Sequence, residues 1–287
     1  MIVAGIDAGA RAIKVVLVDS ESGGVIGSAI GDQGTDPATR ASELFEHALA
    51  EQGLSEIEVA ALVATGYARG AVREADSTVT EITCHARGVR HALPETRTVI
   101  ELGGQDSKVV WLDEDGSVRD FSMNDRCAAG SGRFLEVLAA RLQADIAELG
   151  ALAAQSHGPT AINSTCVVFA ENEVTGLLAT GALACDVAAG ALASLASRAA
   201  TLVGARGTPP VVMTGGVALV SGMAEAIEVA IGLPVEVAPR PQFTGALGAA
   251  LIARDGISAA GDGRPTPAGI EGRIHGRPDG KGRPAGR

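Results

Sequence analysis

The sequence predicts an α/β fold made of two similar halves, and three observations carry that expectation. Short β-branched runs occur in two successive meanders, each followed by helical patterns. In both halves a glycine-bearing turn follows a strand. The chain has 287 residues, 46% of them hydrophobic, with 38 glycines, which is enough to bury a core in each of two subdomains.

In the first half, Val3 to Ile6 and Ile13 to Val18 are β-branched runs separated by Asp7-Ala8-Gly9-Ala10-Arg11-Ala12, the pattern of a hairpin, and Val25 to Ile30 continues the meander. A helix is expected from Pro37 to Glu51, a strand at Val59 to Ala64 ending in Thr65-Gly66-Tyr67, and a helix over Glu81 to Leu93. The pattern then restarts. Val99 to Leu102 leads into Gly103-Gly104-Gln105-Asp106, followed by Val109 to Leu112, the turn Asp113-Glu114-Asp115-Gly116, and Val118 to Phe121. Phe134, Leu138 and Leu142 recur at helical spacing, placing a helix start near Ser131 with Cys127 at or just before its first turn. Further helices are expected over Val167 to Leu178 and Asp186 to Val203. A strand at Val211 to Met213, a helix ending at Ile231, a strand at Val235 to Val237 and a helix over Gly245 to Ala253 close the fold. A cleft between two such halves is a natural ligand site.

Composition excludes several classes. A net charge of −11 argues against general nucleic-acid or anionic-membrane binding. Met1 to Asp7 lacks a basic region and reads as a strand and not as a signal peptide, and no uninterrupted apolar run reaches membrane-spanning length. Four scattered cysteines without a CxxC pair do not form a secreted disulfide framework, so a reducing cytoplasm is expected. From Gly261 onward glycine, proline and arginine dominate. Six basic and three acidic residues give 261–287 a charge of +3, leaving −14 for the body by subtraction, and this segment reads as a disordered tail. Ile270-Glu271-Gly272-Arg273 within it resembles an engineered protease cleavage site.

Three strand-end turns carry glycine beside polar residues: Gly5-Ile6-Asp7-Ala8-Gly9, Glu101-Leu102-Gly103-Gly104-Gln105-Asp106 and Thr214-Gly215-Gly216-Val217. Glycines let backbone N–H groups approach phosphate oxygens, and neighbouring carboxylates can hold hydrated magnesium. One such turn usually only reverses the chain, whereas three in this order favour a nucleotide site. None fits the Walker pattern, and none opens a helix in the Rossmann way.

Two cysteines sit at expected helix starts, Cys127 after Asn124-Asp125-Arg126 and Cys166 after Asn163-Ser164-Thr165. A helix N-terminus beside a cation lowers a thiol pKa, and the thiolate is the metal-binding form. One chain supplies only two such ligands, so a four-thiolate cluster would require two chains about a two-fold axis. Ordinary buried cysteines are the competing reading. Cys84 reads as a packed cysteine beside a surface histidine, His85, and Cys185 as structural. Trp111 suits the core or a subunit contact, and Glu171 and Glu173 suit a solvated helix face.

These residues resemble the actin-like superfamily of sugar kinases, chaperone ATPases and actin. Within it they resemble the BadF/BadG/BcrA/BcrD ATPases, most closely the activators of 2-hydroxyacyl-CoA dehydratases. The likeness spans about residues 1 to 255. It rests on Ala64-Thr65-Gly66-Tyr67, Gly103-Gly104-Gln105-Asp106, Asn124 to Gly130, Ser164-Thr165-Cys166, Phe169-Ala170-Glu171, Val212 to Val217 and Gly245 to Ala250.

The resemblance implies a duplicated two-subdomain actin-like fold. Subdomain I would be residues 1–95, joined by a C-terminal helix over 245–260, and subdomain II would be 96–244. It implies ATP/ADP and Mg2+ as ligands, with Asp7, Gln105 and Asp106 in hydrolysis. Gly9, Ala10, Arg11, Lys14, Glu101, Gly103, Gly104, Glu171, Gly215, Gly216 and Val217 would lie around the nucleotide. It also implies that Cys127 and Cys166 from each of two subunits hold one 4Fe-4S cluster. The partners would be a second copy, a 2-hydroxyacyl-CoA dehydratase or related reductase, and a ferredoxin or flavodoxin as electron donor. Two departures bear on hydrolysis more than on binding. Ala10 and then Arg11 stand where the family has a hydroxyl residue after the loop glycine, and Glu101 stands where it has the shorter aspartate. The alternatives are a sugar- or acetate-kinase-like phosphotransferase, for which no catalytic carboxylate is found outside the nucleotide loops, and a four-cysteine zinc site that only staples a dimer. Colour separates iron from zinc.

Overall fold

A computed structural model describes residues 1–164 and 166–260, apart from the side chains of residues 259 and 260. The expected tail, 261–287, lies outside the described residues. The first half comprises β1 (Ile2–Ala8), β2 (Ala12–Asp19), β3 (Val25–Asp32), α1 (Pro37–Ala50), β4 (Val59–Thr65), β5 (Ser77–Thr78) and α2 (Glu81–Ala92). The second comprises β6 (Thr98–Leu102), β7 (Ser107–Leu112), β8 (Val118–Asn124), α3 (Gly132–Arg141), α4 (Leu149–Ala153), α5 (Val167–Ala179), α6 (Ala184–Val203), β9 (Val211–Thr214), α7 (Met223–Ile231) and β10 (Val235–Val237). The last element, α8 (Thr244–Ala260), returns to the first sheet.

The two sheets have one topology. The first runs β3-β2-β1-β4-β5 and the second, read from its other edge, β8-β7-β6-β9-β10. In each, the first three strands form an antiparallel meander, and the fourth and fifth add in parallel beside the first. A meander needs only tight turns, whereas a parallel addition needs a crossover, which α1 and the α3–α6 segment supply.

Sequence choice explains the layers. β1 and β2 are buried along most of their length on both faces, so they read as continuous apolar runs rather than alternations. One face packs on α1 through Leu44, Phe45 and Leu49, and the other on α8 through Ala246, Ala249, Ala250 and Ala253. α8 carries small residues because it lies almost on its neighbours' backbones. A Cβ on Gly5 would overlap the Ala246 carbonyl, and one on Gly248 would overlap the carbonyl of Cys84 in α2. α2 faces both halves, since Cys84 belongs to the first core while Ala86 and Val89 pack on β6, β7 and β9 of the second.

Two expectations change. His85 is buried, not a surface residue, because α8 and the cleft wall cover it. The Cys127 segment first makes one 3-10 turn, Ala128–Gly130, and the α-helix starts at Gly132, so the first α-helical turn lies beyond the cysteine. The segment from Ala184 through Arg206 is long and apolar enough on average to cross a membrane, but Asp186 and Arg198 interrupt it, so it is not an uninterrupted apolar run. Nine residues of α6, including Val187, Leu192, Leu195 and Val203, are buried in the second core, which accounts for its hydropathy.

Candidate functional site

A cleft of ≈ 280 Å³ opens where the three glycine turns meet. The turn between β1 and β2 brings Asp7, Gly9, Ala10, Arg11 and Lys14. The turn after β6 brings Glu101, Gly103, Gly104, Gln105 and Asp106, and the turn after β9 brings Gly216 and Val217. Gly103 N–H donates to Asp106 O at 3.0 Å, closing the second turn. Gly215 lies just behind the lining with φ +89°. A Cβ there would run into the Leu102 carbonyl, so the third turn can lie against the second only with glycine.

The cleft floor is heavily charged. Lys14 Nζ lies 3.1 Å from Asp7 Oδ2. Lys108 on β7, 3% exposed in its side chain, reaches Glu81 Oε2 at 2.8 Å, Glu101 Oε2 at 3.0 Å and Asp106 Oδ2 at 2.7 Å. Burial works against the Lys108 charge, but Glu101, Glu81 and Asp106 outweigh it and push its pKa up. Burial also pushes the Glu101 carboxyl up, with Lys108 opposing. These four carboxylates are paired with two ammonium groups beneath turns whose backbone N–H groups are suited to a phosphate chain.

His85 completes the floor. Its Nδ1 shares a 2.9 Å hydrogen bond with Thr244 Oγ1, which in turn lies 2.7 Å from Thr214 Oγ1. A Cβ on Gly245 would sit 3.2 Å from both His85 Nε2 and Asp7 Oδ2, so glycine keeps the space between them open. Burial lowers the His85 pKa to about 4, with Asp7 opposing, so the ring is neutral at pH 7. Arg11 spans the cleft, with Nη1 2.9 Å from Asp32 Oδ1 and Nε 2.9 Å from Glu136 Oε1 on α3.

The second glycine turn is also joined to the first cysteine segment. Gly132 N–H donates to Gly103 O at 2.8 Å and Arg133 N–H to Gly104 O at 2.9 Å, and the Ser131 hydroxyl reaches Gly104 O at 3.2 Å. Asn124 fixes the other end. Its Nδ2 donates to Cys127 O at 2.8 Å, and its Oδ1 accepts from Cys127 N–H at 3.2 Å. A Cβ on Gly130 would collide with that amide, which explains the run of small residues.

Cys127 is exposed and Cys166 half-buried, and each occupies the N-cap of its helical segment. Thr165 lies outside the described residues. Glu173 on α5 accepts the backbone N–H groups of Asn163, at 2.9 Å, and Ser164, at 2.8 Å, holding the approach to Cys166. Arg198 on α6 donates from Nη1 to Ala129 O at 2.6 Å and from Nη2 to Ser164 O at 2.8 Å. The two cysteine segments therefore share one guanidinium. Among the described residues no group of three or more His, Cys, Asp or Glu side chains gathers as a metal cage. The two thiols, one exposed and one half-buried, are suited by their chemistry to a soft metal centre.

Most of the expected residues meet in one place. Asp7, Gly9, Ala10, Arg11, Lys14, Glu101, Gly103, Gly104, Gln105, Asp106, Gly216 and Val217 line the cleft. Glu171 does not line it and instead pairs with Arg141. Lys108, Glu81, His85, Glu136 and Arg198 were not anticipated. A lysine inside the apolar strand Ser107 to Leu112, and a lone arginine in the alanine-rich run 187–203, were the signals available. Trp111 is fully buried in the core.

A family model, the BadF/BadG/BcrA/BcrD ATPase family, matches residues 4–253. A 2-hydroxyisocaproyl-CoA dehydratase activator from Clostridioides difficile is 43% identical over 253 residues, 88% of this chain and 94% of that protein. An (R)-2-hydroxyglutaryl-CoA dehydratase activating ATPase from Acidaminococcus fermentans is 41% identical over 253 residues, 87% of this chain and 95% of that protein. The solved activator from Clostridium difficile with bound ADPNP superposes with a TM-score of 0.84 at 42% identity, covering 89% of this chain and 95% of that one. A ROK family glucokinase from Streptomyces griseus shares the fold at a TM-score of 0.55 and 16% identity, covering 89% of this chain and 100% of that one. The duplicated α/β fold is thus the actin-like one.

Proposed function

Because the chain belongs to the BadF/BadG/BcrA/BcrD ATPase family, we propose that it is an ATP-dependent activator. It would deliver single electrons to a 2-hydroxyacyl-CoA dehydratase or related CoA-ester reductase. Cys127 and Cys166 of each of two copies would hold one 4Fe-4S cluster, and a ferredoxin or flavodoxin would be its electron donor. When bound, the cluster would supply a one-electron carrier.

The chain's own residues do the rest. The three glycine turns hold the phosphate chain. Asp7 and Asp106, with Gln105, would hold magnesium and orient the attacking water, and Lys14 and Lys108 would balance the added charge. Glu101 takes part through Lys108. ATP is cleaved to ADP and phosphate, and the energy is spent on a change in the angle between subdomains 1–95 and 96–244.

The observation that carries this reading is the backbone link between the second glycine turn and the start of α3. Any shift of Gly103 and Gly104 toward a phosphate is passed through Gly132 and Arg133 to the segment capped by Cys127. Two backbone hydrogen bonds, of 2.8 and 2.9 Å, join the second glycine turn to the helix start that follows Cys127.

Iron per dimer tests it. After anoxic purification a bridging cluster gives about four irons per two chains, and a cluster private to each chain gives about twice that. Cys127→Ala and Cys166→Ala each lose the iron, whereas Cys84→Ala and Cys185→Ala keep it. Zinc in place of iron, or full iron in the Cys166 variant, would sink the proposal.

A further inference from the structure

We infer that Arg198 is a positioning residue for the shared metal centre. It clamps the two cysteine segments of one chain together and supplies the fixed positive charge beside them. The inference rests on the cluster reading above and deepens it.

Four observations lead there. Arg198 donates to Ala129 O, two residues past Cys127, and to Ser164 O, two residues before Cys166. Both carbonyls lie outside regular α-helix and strand, where a backbone group needs an outside donor to stay fixed. The guanidinium is pinned over the Phe134 ring at 4.9 Å, so it is aimed by packing with the second core. It also lines the same groove as Cys127. Finally, it is a half-buried cation that donates to two neutral carbonyls. A desolvated guanidinium so placed calls for an anion.

Arginine suits both tasks because its planar fork satisfies two acceptors while keeping its charge, which a single ammonium does poorly. With thiolates and a cluster in the groove, that charge favours the reduced, more negative state. Outer partners of this kind typically change metal affinity about 10- to 100-fold when removed.

The test uses anoxic full-length protein. Arg198→Gln and Arg198→Lys are compared with the parent for cluster lifetime under a chelator and for midpoint potential, with ADPNP binding as the check that each variant is folded. Arg198→Gln shortens the lifetime about tenfold or more and moves the potential to more negative values. Arg198→Lys shortens the lifetime but restores the potential, because it keeps the charge and loses the fork. In cluster-free protein, hydrogen exchange speeds up together at 127–131 and 163–164 in both variants. Parental lifetime, potential and exchange in Arg198→Gln would overturn the inference. A parent without four irons per dimer would instead overturn the cluster reading, and the exchange result would still decide whether Arg198 clamps the two segments.

Discussion

At the scale of single residues, His85 shows how a buried titratable group bears on stability. Its folded pKa is lowered to about 4 from an ordinary value of 6.5. The neutral ring is favoured in the fold, so the contribution is fully present above pH 6.5. It is lost as pH falls toward 4, where the unfolded chain binds the proton more readily. The shift corresponds to roughly 3 kcal/mol. Urea midpoints measured from pH 7 down to 4 should therefore fall less steeply in His85→Gln than in the parent. Parallel curves would mean that the ring is protonated in the native cleft. Lys108 shows the complementary case, a buried cation made tolerable by three carboxylates at 2.7 to 3.0 Å.

At the scale of elements, α3 connects the two chemistries. Its N-terminal amides hold the second glycine turn, and Glu136, one turn further on, reaches across the cleft to Arg11. Arg11 stands at a departure from the family pattern, and its charge is occupied by Glu136 and Asp32. The Arg11 side chain is 56% exposed, so the pair contributes about 0 to 1 kcal/mol. Glu136→Gln should release Arg11 toward the phosphates and tighten ADPNP binding by up to about fivefold. Calorimetric titration checks this, and weaker binding would show that Glu136 orders the turn and does not withhold its cation.

At the scale of the whole molecule, the two sheets repeat one topology, and α2 and α8 join them. The join depends on backbones that almost touch, since a Cβ on Gly248 would overlap the Cys84 carbonyl. Two effects of Gly248→Ala oppose each other. Helix propensity favours alanine by about 1 kcal/mol, and forcing α2 and α8 apart costs about 1 to 3 kcal/mol or more. The overlap is with backbone, which cannot turn aside, so the cost wins and the variant should unfold at lower urea. An unchanged or higher midpoint would show that α8 slides freely along α2. Such freedom would weaken the case for a stiff joint between the halves.

The sequence by itself determined the duplicated α/β pattern, the strand-end glycine turns and the cysteine segments. These are local signals: β-branched periodicity, turn chemistry and short motifs are set by neighbours along the chain. Asp7, Gly9, Gly103, Gly104, Asp106 and Gly216 were legible for that reason. Only the tertiary structure decided that His85 is buried, that Lys108 gathers Glu81, Glu101 and Asp106, and that Glu171 pairs with Arg141 instead of facing the cleft. It alone joins Arg198 to two segments that lie 69 and 34 residues away. The physical reason is that side-chain partners across long separations are chosen by how helices pack on sheets, and periodicity records which face a residue occupies but not what the opposing face presents to it.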